Sequence, residues 1–289
     1  MKLVFGYLTI SVLLYFACTP QDKEISRSSL AHNKVNTDEW SDSMILVKIF
    51  GNVHQPESKG SCCYGENIPY AKTVLDTTTF TQEHLKQFNR RGEITYSVID
   101  KEDITLDGLD KKMVILGAEG HGCHACPGLV GVAIFGKKED RWTLEKWKND
   151  VLVVGTNGNP VDQSEIRSLG KDVYAIVVKQ GSIWQGREFR IMAMALYDKG
   201  TFKDVFSEYF SSNNWANTEQ YYPKALSMPA YSYTASFEFE PSKETYPDVV
   251  LYFEGTMIEP KTHKLVLLDR PVRFKFNGEK YCPTSKMPD

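Results

Sequence analysis

The sequence predicts a mainly β protein, built of antiparallel meanders that form a partial propeller or a sandwich, with few short helices. Three observations carry this expectation. From Ser43 onward, short apolar runs alternate with turn residues. Aromatics are abundant, at 15 Tyr, 15 Phe and 5 Trp, and aromatic and β-branched side chains suit the pleated, half-buried surface of a strand. No long run of helical periodicity follows the apolar N-terminal segment.

The elements follow in chain order. Met44-Ile45-Leu46-Val47-Lys48-Ile49-Phe50 reads as a strand ending at Gly51. Thr81 to Asn89 opens on a capping Thr and reads as a two-turn helix. Glu93 to Ile99 alternates with period two, as do Ser236 to Glu240 and Val272 to Phe276, the last leading into the hairpin signal Asn277-Gly278. Asp204 to Phe210 is the second short helical candidate.

A weak repeat runs through the body. Met113–Leu116 leads to Glu119-Gly120, a loop, the strand Val130 to Phe135, Gly136 and Trp142. Val173–Val178 leads to Gln180-Gly181, a loop, the strand Phe189 to Tyr197, Gly200 and Phe202. Val249–Phe253 leads to Glu254-Gly255, a loop, a strand pair, Gly278 and Tyr281. No helix in these units is long enough for a parallel crossover, so antiparallel pairing is expected. The pattern faintly resembles the blade repeats of propeller-like exported lipoproteins. Those often carry Ca²⁺ loops of the D-x-D-x-D-G type; Asp103, Asp107 and Asp110 are too sparse for one, and bound Ca²⁺ is not implied.

The N-terminus sets the compartment. Leu3 to Ala17 is almost wholly apolar and follows Met1-Lys2. It is shorter than the ~20 residues of a membrane-spanning helix, and its length and flanks match the apolar region of a secretory signal. It ends at Tyr15-Phe16-Ala17-Cys18. This segment resembles the bacterial lipoprotein signal, in which a small residue precedes the lipidated cysteine, although Tyr15 stands where Leu is usual. The resemblance implies cleavage before Cys18, diacylglycerol and palmitate on Cys18, and a membrane partner through that anchor. Multiple acyl chains, at ~0.8 kcal/mol per buried CH₂, hold a protein durably. Thr19, not Asp, follows the cysteine, which by resemblance to proteobacterial sorting permits the outer membrane, and that membrane of the bacterial cell envelope is the expected location. The polar run to Trp40 reads as a flexible tether. The expected organisation is a signal peptide over 1–17, a tether over 18–40 and one β-rich domain over 41–289.

The composition is that of an ordinary folded chain: 289 residues, 42% hydrophobic and 25% charged, with net charge -3. A field that gathers nucleic acid is not expected.

Cysteine and histidine usage is the most informative chemistry. Gly120-His121-Gly122-Cys123-His124-Ala125-Cys126-Pro127-Gly128 brings His121, Cys123, His124 and Cys126 within six residues. Cys62, Cys63 and Cys282 complete the set. In an oxidising compartment such thiols pair or bind metal. The first reading is structural: Cys123 with Cys126, and Cys62 or Cys63 with Cys282. With Cys18 lipidated five remain, so one stays unpaired. The second is a metal site, in which thiolates and imidazoles suit Zn or Cu; the leading reading calls for no cofactor. The third is thiol redox, with His124 stabilising a thiolate. Against it, a thioredoxin-type motif needs a helix at the first Cys, and here Leu129 to Phe135 reads as a strand. Covalent haem needs His where Pro127 stands.

No nucleophile elbow, phosphate loop or zinc-protease helix occurs. Gln180 to Arg187 holds Trp184 between glycines, and Trp184 with Arg187 forms a recognition candidate. Tyr231 and Tyr233 read as a binding rim or as half-buried strand edges. These features favour a non-enzymatic envelope lipoprotein whose β-rich surface binds a protein, peptide or glycan. The alternatives are metal handling or thiol redox through His121, Cys123, His124 and Cys126, and, ranked last, a hydrolase with dispersed catalytic residues.

Overall fold

The computed structural model describes residues 40–54, 70–74, 93–119, 128–154, 161, 163–184, 186–215, 229–243, 245–259 and 261–284, all within the unit Asn36–Asp289. Its first element corrects an expectation: Met44 to Phe50 is not a strand but lies in helix α1, Asp42–Phe50. The physical reason is local. The Ser41 side chain accepts from Met44 N–H as N-cap, Asp42 and Lys48 complement the two ends of the helix dipole, and Gly51 closes the helix in the left-handed conformation at φ 73°. Ile45 and Leu46 are fully buried, and Ile49 and Phe50 extend the same apolar face.

The other elements are strands, in antiparallel pairs. β1 (Tyr70–Val74), β2 (Glu93–Leu106), β3 (Leu109–Glu119), β4 (Gly128–Lys138) and β5 (Arg141–Val154) form one sheet in chain order. β6 (Gln163–Gly170), β7 (Val173–Trp184), β8 (Arg187–Asp198) and β9 (Thr201–Asn213) form a second meander. β9 joins β10 (Ser232–Glu240), which leads to β11 (Asp248–Ile258), β13 (Pro271–Phe276) and β14 (Tyr281–Pro283); β12 (Leu265–Leu268) pairs with the end of β11. The architecture is therefore mainly β and built of antiparallel meanders, as the sequence predicts. The three units of the repeat fall on β3–β5, β7–β9 and β11–β14. The helical candidate Asp204 to Phe210 lies instead inside β9, and Thr81 to Asn89 lies outside the described residues.

Tight turns hold the meanders. Leu106 pairs with Leu109, Lys138 with Arg141 and Asp198 with Thr201, leaving two-residue loops. In each loop both residues have positive φ: Asp107 and Gly108, Glu139 and Asp140, Lys199 and Gly200. That is the hairpin geometry whose twist matches the strands. The expected Asn277-Gly278 turn closes the β13–β14 hairpin, with Gly278 at φ 100°.

Three apolar layers stack the units. The first lies between α1 and the first sheet, where Ile45, Leu46, Tyr96, Leu116 and Phe135 meet. Trp40 joins this layer, edge-on to Phe135 at 5.2 Å. The second lies between the first sheet and β6–β9, where Ile115, Val132 and Ile134 face Ile176, Ala193 and Ala195. The third lies between β6–β9 and β10–β14. β10 pairs with β9 only over Ser232–Thr234; beyond that it departs, and the sheet curls so that Phe206 packs edge-on against Phe274 at 5.0 Å. Each large apolar side chain fully buried in these layers contributes about 1.5–3 kcal/mol.

A bulge gives β2 two roles. Val98 opposes Leu116 and Asp100 opposes Ile115, leaving Ile99 as the extra residue. Directly opposed residues share a face. Ile94, Tyr96 and Val98 therefore point to the helix layer, whereas Asp100, Ile104 and Leu106 point to the second meander.

Candidate functional site

The end of the β7–β8 hairpin gathers arginine and tyrosines. Trp184 and Arg187 are the last pair of the ladder, turning at Gly186, whose φ is 75°. From Arg187, Nε donates to Ser212 Oγ at 2.9 Å. The guanidinium lies 6.0 Å from the Tyr209 ring centroid and 5.9 Å from that of Tyr231. Ser212 is itself fixed: its hydroxyl donates to the Glu188 carbonyl at 3.2 Å and lies 3.3 Å from the buried Tyr231 hydroxyl. Tyr209 meets Phe189 edge-on at 5.5 Å.

Buried Asn214 secures the entry to β10. Its Oδ1 accepts from Tyr231 N–H at 2.8 Å and its Nδ2 donates to the Pro229 carbonyl at 2.9 Å. This brings Tyr231 and Tyr233 beside a hairpin far from them in sequence. Burial pushes the Tyr233 hydroxyl above its ordinary range, and the Arg187 cation opposes that rise. Tyr209, on the Arg187 face, is 48% exposed, whereas Ile183 pairs with Glu188 and is open on the opposite face. A planar cation held in place, with the exposed Tyr209 ring beside it, suits the recognition of a partner's carboxylates, carbonyls and aromatic groups.

The sequence-predicted residues divide. Arg187 is placed in this cluster and Trp184 on the strand beside it. Tyr231, buried just before β10, and Tyr233, half-buried on it, lie within the same cluster. Tyr209 and Ser212 were not anticipated, because only the β8–β9 ladder brings them across from Ile191 and Phe189. Cys18, Cys62, Cys63, His121, Cys123, His124 and Cys126 lie outside the described residues. Cys282 is on β14, half-buried and without a disulfide among the described residues; its sulfur accepts from Asn277 Nδ2 at 3.4 Å. Among the described residues, no group of three or more His, Cys, Asp or Glu is placed to hold a metal, and no helix is long and apolar enough to cross a membrane.

In comparisons with known protein families, curated proteins and solved structures, the chain matches none.

Proposed function

We propose that this chain is a bacterial cell-envelope lipoprotein, anchored through Cys18, whose β-rich body binds a protein, peptide or glycan partner of the envelope. The observation that supports the binding reading is the fixed Arg187. Ser212 and two tyrosine rings hold its guanidinium in place, with Tyr209 open to solvent. A side chain already ordered loses less freedom on binding than a mobile one. The apolar segment ending at Ala17-Cys18 supports the anchor.

The test is photo-crosslinking in the native cell, with a photoreactive residue placed at Phe189 or at Tyr209, both on the Arg187 face. The expected result is one discrete adduct from either position, lost when Arg187→Ala is added. No adduct from either position, or the same adduct from a probe at Leu267, overturns the binding reading. Metabolic labelling with a palmitate analogue tests the anchor: label on the wild type and none on Cys18→Ser is expected, and an unlabelled wild type overturns it.

A further inference from the structure

The Arg187 surface also indicates the chemistry of its ligand, an inference that rests on the binding function proposed above. Strand register decides which side chains share that surface. Arg187, Phe189 and Ile191 alternate onto one face of β8; Phe189 opposes Ser212 and Ile191 opposes Tyr209. Glu188 turns to the other face, where its carboxylate accepts from Asn213 Nδ2 at 3.0 Å. Arg187 makes no ion pair among the described residues.

Two features narrow the ligand. The first is a cation of fixed geometry without an anion. Its Nε–H donates to Ser212 Oγ at 2.9 Å, so the terminal N–H groups are left for a second acceptor besides the Tyr233 hydroxyl. Planar, paired N–H donors fit a carboxylate. The second is the Tyr209 ring, open to solvent and tilted by its edge-on contact with Phe189 at 5.5 Å. An open ring on a sheet face is a platform for another flat apolar surface. β8 itself is paired with β7 on one side and with β9 on the other. It therefore presents a face here and no edge to which an extended peptide could add as a strand.

A sugar acid meets both features at once. One face of a pyranose ring is a patch of C–H groups, which packs on an aromatic ring. In a hexuronate the C5 carboxylate projects from the rim of that same ring. The guanidinium lies 6.0 Å from the Tyr209 centroid, within reach of a carboxylate carried that way.

We propose that this face binds an acidic saccharide, a hexuronate unit of a glycan, with its ring on Tyr209 and its carboxylate at Arg187. A neutral sugar stacks but leaves the cation without an anion; an aliphatic anion pairs but leaves the ring uncovered. The two contacts together set the selectivity.

Calorimetry on the full chain in mild detergent tests this, with trigalacturonate, its methyl ester and triglutamate as probes. Trigalacturonate is expected to bind, and esterification to weaken binding roughly tenfold or more, the worth of one charge-assisted hydrogen bond. In Arg187→Gln acid and ester should bind alike, and Tyr209→Ala should weaken both. Arg190→Gln removes the same charge from the opposite face of β8 and should change nothing. If Arg187→Gln fails to fold, Arg187→Lys takes its place: it loses the planar donors and should weaken the acid more than the ester. No trigalacturonate binding at millimolar concentration, equal binding of acid and ester, equal losses in the Arg187 and Arg190 variants, or equal binding of triglutamate overturns the proposal. An adduct at Phe189 or Tyr209 in the cell without trigalacturonate binding removes the saccharide and keeps the binding function; loss of both removes both.

Discussion

The Tyr174 hydroxyl closes both hydrogen-bonding groups of one residue on the neighbouring sheet: it accepts from Thr105 N–H at 2.9 Å and donates to the Thr105 carbonyl at 3.0 Å. The pairing answers a specific need. Among the described residues β1 opposes β2 only as far as Ser97, and Thr105 lies further along β2. Tyr174 comes from β7, in the next meander. Tyr174→Phe should therefore cost about 1 kcal/mol, the usual net worth of a hydrogen bond, since Thr105 is exposed and water can replace the hydroxyl. Amide exchange at Thr105 should accelerate. Wild-type melting together with unchanged exchange would sink the idea that this hydroxyl ties the two meanders.

Trp147 occupies the space that a side chain at position 131 needs. A Cβ on Gly131 would come 2.4 Å from the indole Cη2. Gly131 sits mid-strand in β4, buried in the layer under α1, where Trp147 also meets Phe50 and Tyr96 edge-on. Gly131→Ala should cost about 1–3 kcal/mol through overpacking. Trp147→Phe in the same chain should recover part of that loss, giving a non-additive double variant in denaturant titrations.

Gly255 faces a harder obstacle, because its neighbour is backbone. Its φ is 121°, and a Cβ there would come 2.2 Å from the Ser232 carbonyl oxygen on β10. Conformational strain and a clash that no rotamer relieves combine to roughly 3 kcal/mol or more for Gly255→Ala. The comparison is Gly108, also at positive φ but with nothing within 4 Å of its added Cβ. Gly108→Asn should be nearly neutral, since Asn tolerates the left-handed region. Equal melting of the two variants would show that the β10–β11 crossing is looser than described.

Glu208 links stability to pH. It opposes Met192 in the third layer, and burial pushes its carboxyl above the usual glutamate range. A raised folded pKa means that the folded state binds the proton more tightly than the unfolded chain does. Stability from this group then falls as pH rises from the ordinary glutamate value through the folded one, and stays lower at neutral pH. Glu208→Gln should raise the melting temperature slightly at pH 7, with the gain vanishing on acidification below about pH 4. A gain that persists in acid would assign the effect to packing instead.

These layers also explain what the residues disclosed and what they concealed. Strands with unbroken alternation, such as Val272 to Phe276, were legible because one face meets the core and the other meets solvent. β9 was misread as helical for a physical reason. Bulges at Val205 and Phe210 place the apolar residues at 202, 205, 206, 209 and 210, the spacing of a helix face. α1 was misread in the opposite sense, since Met44 to Phe50 is apolar nearly all round; Ser41, Asp42 and Gly51 carried the correct signal. The recognition surface was legible only as Trp184 and Arg187. Its tyrosines, and the contact that sets Asp100 beside Ser164, depend on pairings between distant residues that no local pattern records.

The Arg187 cluster yields a prediction that separates its electrostatics from folding. Removing the guanidinium leaves the Ser212 hydroxyl bonded to the Glu188 carbonyl and close to Tyr231, so Arg187→Gln should cost only about 1 kcal/mol. Its effect on Tyr233 should be larger. Burial raises that hydroxyl's pKa, and Arg187 lowers it both by charge and by hydrogen bonding. Without the cation, burial acts unopposed and Tyr233 should ionise at a higher pH than in the wild type. Arg187→Lys keeps the charge but not the planar guanidinium, so its shift should be the smaller of the two. Tyrosine ring-carbon chemical shifts followed through an alkaline titration report this directly. An unmoved Tyr233 in Arg187→Gln would place the guanidinium outside hydrogen-bonding reach of that ring and dissolve the rigid site on which the binding proposal stands.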